Sequence, residues 1–241
     1  MINEIRNYLV RNGFETLCPK AVLFDMDGVL YDSMPRHAVA WRESMAHFGL
    51  VMTADDAYAT EGARGIDTIV HMVKRQQKRD ISLDEAQKMY DLKSKLFHDM
   101  GDPPLMPGIL TLLEQIKAKG LTIGVCTGSG QKPLIKRLLT DFGKYLDEHH
   151  IVTAYDVTRG KPAPDPYLMG LQKAGGLKPW EAFVVENAPL GVQAGMAAHI
   201  FTIAVNTGPL PDKVLTDSGA DIIFPSMEDL SRNWRGLIET M

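Results

Sequence analysis

Cysteine is nearly absent from this chain, with two in 241 residues, Cys18 and Cys126. Two thiols make neither a disulfide framework nor a metal knuckle; each neighbours an apolar stretch and is expected to be buried and inert. Long hydrophobic runs are missing as well. No 18 apolar residues occur consecutively, and Met1-Ile2-Asn3-Glu4-Ile5-Arg6 is not a basic segment followed by an unbroken apolar one. A membrane span and a secretory leader are therefore not expected, and a cytoplasmic location is. Charge of one sign is not in excess either. Twenty-six Lys and Arg face 30 Asp and Glu, a formal charge of −4, too mild and too mixed for a surface that grips nucleic acid or an anionic membrane. Repeats and low-complexity tracts are lacking. What remains is a globular composition, 45% hydrophobic and 23% charged, long enough to bury a real core and suited to a monomer that binds a small ligand.

Short apolar runs that end abruptly in polar or Gly-rich residues lie at 21–24, 121–126, 151–153, 182–185, 201–205 and 221–224. They read as buried strands. Helix-period segments alternate with the later ones, for example Ile109, Leu112, Leu113, Ile116 and then Leu134, Ile135, Leu138, Leu139. The expected fold is α/β, a doubly wound and mainly parallel Rossmann-like sheet. Between the first two strands the rhythm breaks. Ile66, Ile69, Val70 and Val73 fall at i, i+3, i+4, i+7, and Ser82-x-x-Glu85 is a capping box ahead of Ala86, Met89, Leu92 and Leu96, so this insertion predicts a helical bundle. Prolines at 35, 103, 104 and 107 mark its two junctions. The division expected is a core of residues 1–33 and 104–241, in which 1–17 form one amphipathic helix outside the sheet, and a cap of residues 34–103 hinged on two linkers.

In an open α/β sheet the ligand lies at the carboxyl ends of the strands. After the first run come Asp25, Asp27 and Gly28; after the second, Thr127-Gly128-Ser129-Gly130; after the third, a loop leading to Lys161-Pro162; after the fourth, Glu186-Asn187. Each alone has an ordinary reading: Asp-x-Asp-Gly as a turn, Thr-Gly-Ser and Glu-Asn as helix caps, Lys161 as a solvated loop lysine. Together they assemble carboxylates, a hydroxyl with glycine amides, an ammonium and another acidic-amide pair. That inventory suits a divalent cation and a phosphoryl group.

On those residues the sequence resembles the haloacid dehalogenase-like superfamily, in the β-phosphoglucomutase-like branch with a helical cap inserted after the first motif. The resemblance runs from about residue 20 to the end. It rests on Phe-Asp-Met-Asp-Gly-Val-Leu at 24–30, Cys-Thr-Gly-Ser at 126–129, Gly-Lys-Pro-Ala-Pro-Asp-Pro-Tyr at 160–167 and Val-Val-Glu-Asn-Ala-Pro-Leu-Gly at 184–191. The phrases at 186–191 and 204–210, with Glu61-Gly62 in the cap, are similar to a subgroup containing inorganic pyrophosphatases that are labelled β-phosphoglucomutases. The resemblance implies that Asp25 is the nucleophile, forming an aspartyl-phosphate, and that Asp27 is first general acid and then general base. It implies Mg²⁺ held by Asp25, the Asp27 carbonyl, Glu186 and Asn187, with phosphate oxygens held by the Thr127 hydroxyl, the Gly128 amide and Lys161. Asn187 stands where many members carry an aspartate, so weaker metal binding is expected.

In the cap loop Thr60-Glu61-Gly62-Ala63-Arg64-Gly65-Ile66-Asp67, Glu61 replaces a basic residue of the mutase loop, Gly65 takes the usual arginine position, and Arg64 is displaced by one. That argues against a second phosphate anchor. Glu61, with Lys93 compensating its charge, would contact a protonated pyrophosphate or its metal complex; His37 matches a cap-hinge histidine, and Trp41 is assigned to packing. The expected activity is a Mg²⁺-dependent phosphohydrolase acting on inorganic pyrophosphate or a small phosphate ester, with β-phosphoglucomutase as the alternative. A signalling module that keeps its aspartyl-phosphate would lack Asp27 and be far shorter, and a dehalogenase would lack both the metal and the second aspartate.

Overall fold

The computed structural model describes residues 1–129 and 132–240. Gly130, the last residue of the glycine-rich loop above, lies outside the described residues. Six strands form one parallel sheet: β1 Ala21–Phe24, β2 Thr122–Cys126, β3 Ile151–Val152, β4 Ala182–Glu186, β5 Phe201–Val205 and β6 Ile222–Phe224. Their order is β3-β2-β1-β4-β5-β6. The chain winds outward from β1 on one side, then returns to β4 on the other, so the switch point lies between β1 and β4, where such sheets bind ligands. The strands read as unbroken apolar runs because both faces are covered. Val22 and Phe24 point into a layer with Phe183, Phe201 and Trp234, while Ala21 and Leu23 point into the opposite one with Cys126, Tyr167 and Val184.

The helices are α1 Ile2–Asn12, α2 Met34–His47, α3 Ala54–Ala59, α4 Gly65–Gln77, α5 Leu83–Asp99, α6 Ile109–Ala118, α7 Lys132–Phe142, α8 Asp165–Lys173, α9 Pro189–Ala197, α10 Asp212–Asp217 and α11 Met227–Glu239. The expected N-terminal helix over 1–17 is shorter than its pattern. It stops at Asn12 because Gly13 takes the left-handed conformation (φ 68°) and returns its N–H to the last turn. Nor is it a mere outer layer: Tyr8 is fully buried in the main core and donates its hydroxyl to the His199 carbonyl. Cys18 also departs from expectation, being exposed, whereas Cys126 is buried and its thiol is pushed up to about 12 by burial.

Helices α2–α5 bury a core of their own around Trp41, Met45, Ile69, Met72, Val73 and Met89. Half of the expected capping box forms at α5: Ser82 Oγ accepts from Glu85 N, but the Glu85 carboxylate binds Arg79 instead. A complete box that the sequence reading passed over, Thr53 with Asp56, starts α3. Among the described residues no helix is long and apolar enough to cross a membrane.

The loop after β3 delivers Lys161, and Asp156 fixes its start. Asp156 accepts from Thr153 N and Oγ1 and from Lys173 Nζ. Burial would raise its carboxyl, but these donors hold it below the usual carboxylate range. A depressed folded-state pKa stabilises above the unfolded value and is lost as pH falls through the folded one. Asp156→Asn is therefore expected to destabilise by about 1 kcal/mol at pH 7, a difference that fades in urea melts below about pH 4.

Candidate active site

Asp25 follows β1 directly and Glu186 is the last residue of β4, so adjacent parallel strands bring two carboxylates to one edge. Lys161 reaches between them. Its Nζ lies 2.5 Å from Asp25 Oδ1 and 2.5 Å from Glu186 Oε1, and all three side chains are buried. Burial raises Asp25 to about 8 despite Lys161, because one ammonium is shared between two carboxylates. Burial also opposes the charge on Lys161, yet those carboxylates hold its pKa above the usual lysine range.

Asp27 has a different environment. Its Oδ1 accepts from Ser33 Oγ at 2.6 Å and lies 3.0 Å from His37 Nε2, while His37 Nδ1 is 2.6 Å from Lys93 Nζ. An ammonium only donates, so Nδ1 accepts and Nε2 carries the proton given to Asp27. Burial would raise Asp27, but His37 and Ser33 hold it down at about 2. Lys93, buried between Trp41 and Phe97 with its Nζ 4.9 and 5.3 Å from their ring centres, is lowered to about 8 by burial. Burial, then the Lys93 charge, lowers His37.

Glu61 lies in the loop between α3 and α4. Its Oε1 accepts from Asn187 Nδ2 at 2.9 Å, and burial pushes its carboxyl well above the ordinary range. Gly28 makes room for this pair: its φ is +77°, and a Cβ there would collide with the Asn187 amide. Gly128 is similarly close-packed, since a Cβ would sit 2.7 Å from the Gly62 carbonyl and 3.0 Å from that of Ala63. The cap loop thus rests on the glycine-rich loop of the core. Asp25, Asp27, His37, Glu61, Lys93, Thr127 and Gly128 line one cavity of about 60 Å³ beneath the cap.

Two expected relationships differ. Lys93 pairs with His37, not Glu61, because it projects from α5 toward the α2 side of the cavity. Arg64 does not line the cavity: it precedes α4, forks onto Asp67 three residues on and donates to the Thr158 carbonyl, lining a separate cleft of about 500 Å³ beside the site. Ser33 went unnoticed as a site residue because it reads as a helix cap; its hydroxyl makes no cap hydrogen bond and serves Asp27. Thr207, whose hydroxyl donates to the Gly28 carbonyl, and Tyr167, on Glu186, were quoted within motifs without a role.

Among the described residues the buried Asn187 Oδ1 has no hydrogen-bond partner. A buried amide oxygen is a hard donor of the kind Mg²⁺ takes, and it follows β4 next to β1, the strand that Asp25 follows. Among the described residues no three His, Cys, Asp or Glu side chains gather as a metal cluster.

The profile of the haloacid dehalogenase-like hydrolases matches residues 19–199. The chain is 32% identical over 212 residues to hexitol phosphatase A of Escherichia coli (strain K12), covering 88% of this chain and 93% of that protein. It is 27% identical over 220 residues to β-phosphoglucomutase of Bacillus subtilis (strain 168), covering 88% and 92%. A solved structure described as "Putative beta-phosphoglucomutase from Bacteroides vulgatus" matches with a TM-score of 0.95 at 48% identity, over 99% of this chain and 97% of that one. With these likenesses and its parallel sheet carrying the site at the switch point, the chain belongs to the haloacid dehalogenase-like hydrolase family.

Proposed function

We propose that the chain is a Mg²⁺-dependent phosphohydrolase that works through Asp25 on inorganic pyrophosphate, with small phosphate esters as further substrates, and that residues 34–103 are its cap. The carrying observation is the cavity beneath the cap. About 60 Å³ is the space of a few waters, which suits a small inorganic anion better than a sugar ring. Among the described residues Lys93 is the only lysine or arginine of α2–α5 and their loops that lines it, so a second phosphate at a sugar's distance finds no further anchor.

The state of Asp27 supports the same substrate. His37 and Ser33 hold it down at about 2 despite burial, so it is ionised at neutral pH, the form that accepts a proton. Phosphate departs from pyrophosphate as a stable anion, whereas a sugar alkoxide needs a proton as it leaves. In the first half-reaction an Asp25 oxygen attacks phosphorus as the bridging P–O bond breaks; the Thr127 hydroxyl, the Gly128 amide and Lys161 hold the equatorial oxygens. In the second, Asp27 takes a proton from water, which attacks the same phosphorus and releases Asp25 as its carboxylate. Asp25, Asn187 Oδ1 and the Asp27 carbonyl would hold Mg²⁺, which when bound offsets the repulsion between anionic nucleophile and anionic substrate.

Lys93→Met removes the ammonium that fixes the His37 tautomer. It is expected to lower kcat by about tenfold or more with KM changed less, while the melting temperature holds or rises because a buried charge is gone; unchanged steady-state kinetics would count against the relay.

The test of function is phosphate release with Mg²⁺ from pyrophosphate, β-glucose 1-phosphate and a panel of sugar phosphates, with Asp25→Asn as blank. Pyrophosphate is expected to be cleaved fastest. The second reading, β-phosphoglucomutase, is favoured by the similarity to the B. subtilis protein of that name; it predicts glucose 6-phosphate from β-glucose 1-phosphate, little phosphate release and dependence on a bisphosphate.

A further inference from the structure

Glu186 is completely buried, and its acceptor sites can be accounted for one by one. Oε1 takes hydrogen bonds from Lys161 Nζ and from the Tyr167 hydroxyl, both at 2.5 Å. Oε2 takes them from the main-chain N–H groups of Asn187 at 3.2 Å and Ala188 at 3.4 Å. A carboxylate offers about four lone-pair directions. All of them are used by the protein itself, in contrast to Asn187 Oδ1 next door. The two members of the Glu-Asn pair are thus chemically distinct: the described residues fill the acceptor sites of Glu186 and leave Asn187 Oδ1 unpaired.

Tyr167 belongs to the first turns of α8, the helix that follows the Lys161 loop, and is itself fully buried. Its hydroxyl meets Glu186 and its ring centre lies 5.0 Å from Lys161 Nζ. It therefore touches both members of the ion pair that faces the nucleophile.

We propose that Tyr167 is a positioning residue: by donating to Glu186 Oε1 it holds that carboxylate as the anchor of Lys161, so that Glu186 acts on the phosphoryl group through Lys161 and not as a metal ligand. An ammonium facing an unshared carboxylate oxygen is drawn onto it. With Tyr167 occupying one side of Oε1, Lys161 instead stays divided between Glu186 and Asp25, and its third N–H is left for a phosphoryl oxygen. The proposal rests on Asp25 being the nucleophile and assigns a division of labour within that site.

The experiment compares wild type, Tyr167→Phe and Glu186→Gln for kcat and KM with pyrophosphate, for the affinity of inorganic phosphate as product inhibitor, and for Mg²⁺ affinity by calorimetry, each after a thermal melt to check folding. Tyr167→Phe keeps the ring and is expected to lose about tenfold or more in kcat and in phosphate affinity. Glu186→Gln is expected to lose more of both. In either variant Mg²⁺ affinity should stay within about twofold of wild type, well under the tenfold that is one power of ten in the binding constant. A merely structural tyrosine would move stability without this split. Wild-type kcat and phosphate affinity in Tyr167→Phe would overturn the proposal, as would a tenfold or greater fall in Mg²⁺ affinity in Glu186→Gln, the arm that decides if Tyr167→Phe does not fold. Binding of beryllofluoride with Mg²⁺ by wild type but not by Asp25→Asn checks the underlying reading separately: if wild type neither binds it nor turns over any phosphate, the nucleophile assignment fails and this inference with it.

Discussion

Asp25→Asn is expected to abolish phosphate release, by a factor on the order of 10⁴ or more, and at the same time to make the protein more stable. An amide cannot form the acyl-phosphate, so the two-step route is closed. The stability gain follows from the geometry around Lys161. One ammonium faces two buried carboxylates at 2.5 Å each, and burial raises Asp25 to about 8, so its negative charge in this cluster costs the fold stability. A carboxyl raised in this way destabilises the folded state above its unfolded pKa, and the cost grows as pH rises toward the folded value. The gain in Asp25→Asn should therefore be small near pH 4 and about 1–2 kcal/mol at pH 7 to 8. Metal-free thermal melts across that range, paired with phosphate assays, check both halves. A variant less stable than wild type at pH 8 would contradict the account of the cluster, and one that still releases phosphate would contradict the nucleophile.

Lys161→Met should act in the opposite sense on stability while sharing the loss of activity. Removing the cation strands Asp25 and Glu186 against each other in a site closed to water, and breaking a buried ion pair from one side costs about 3–5 kcal/mol. The charge that spreads over the transferred phosphoryl group also loses a donor, worth about 10²–10³ in rate. Urea melts in EDTA should show the destabilisation at pH 7. A melt that superimposes on wild type would mean that the ammonium is not what holds them together.

Much of this arrangement could be read from residue order. The six strand positions were visible as apolar runs, because a parallel sheet covered on both faces leaves continuous hydrophobic segments. The polar residues after them were visible for the complementary reason, that strand ends at a switch point point into a shared crevice. Side-chain partnerships were not. Lys93 lies 56 positions from His37 and Glu61 lies 126 from Asn187, and pattern alone does not say which cap residue meets which core residue. Arg64 shows the limit most directly. A cation next to the substrate loop looks like an anchor, but an aspartate three residues on and an open carbonyl at Thr158 hold it outside the catalytic cavity. The end of α1 was hidden similarly: apolar spacing continues to Leu17, while a single left-handed glycine stops the helix at Asn12.

The hydrogen bond between Asn187 and Glu61 has a consequence for how such a site can diverge. An aspartate at position 187 would remove the amide proton that Glu61 accepts and would place a second acidic group where the protein buries the pair. Neither position is then free to drift by itself. An aspartate there is better accommodated once the glutamate at position 61 is replaced. Metal affinity at position 187 and the residue at position 61 are in this sense coupled, because a change at either one alters the hydrogen bond they share.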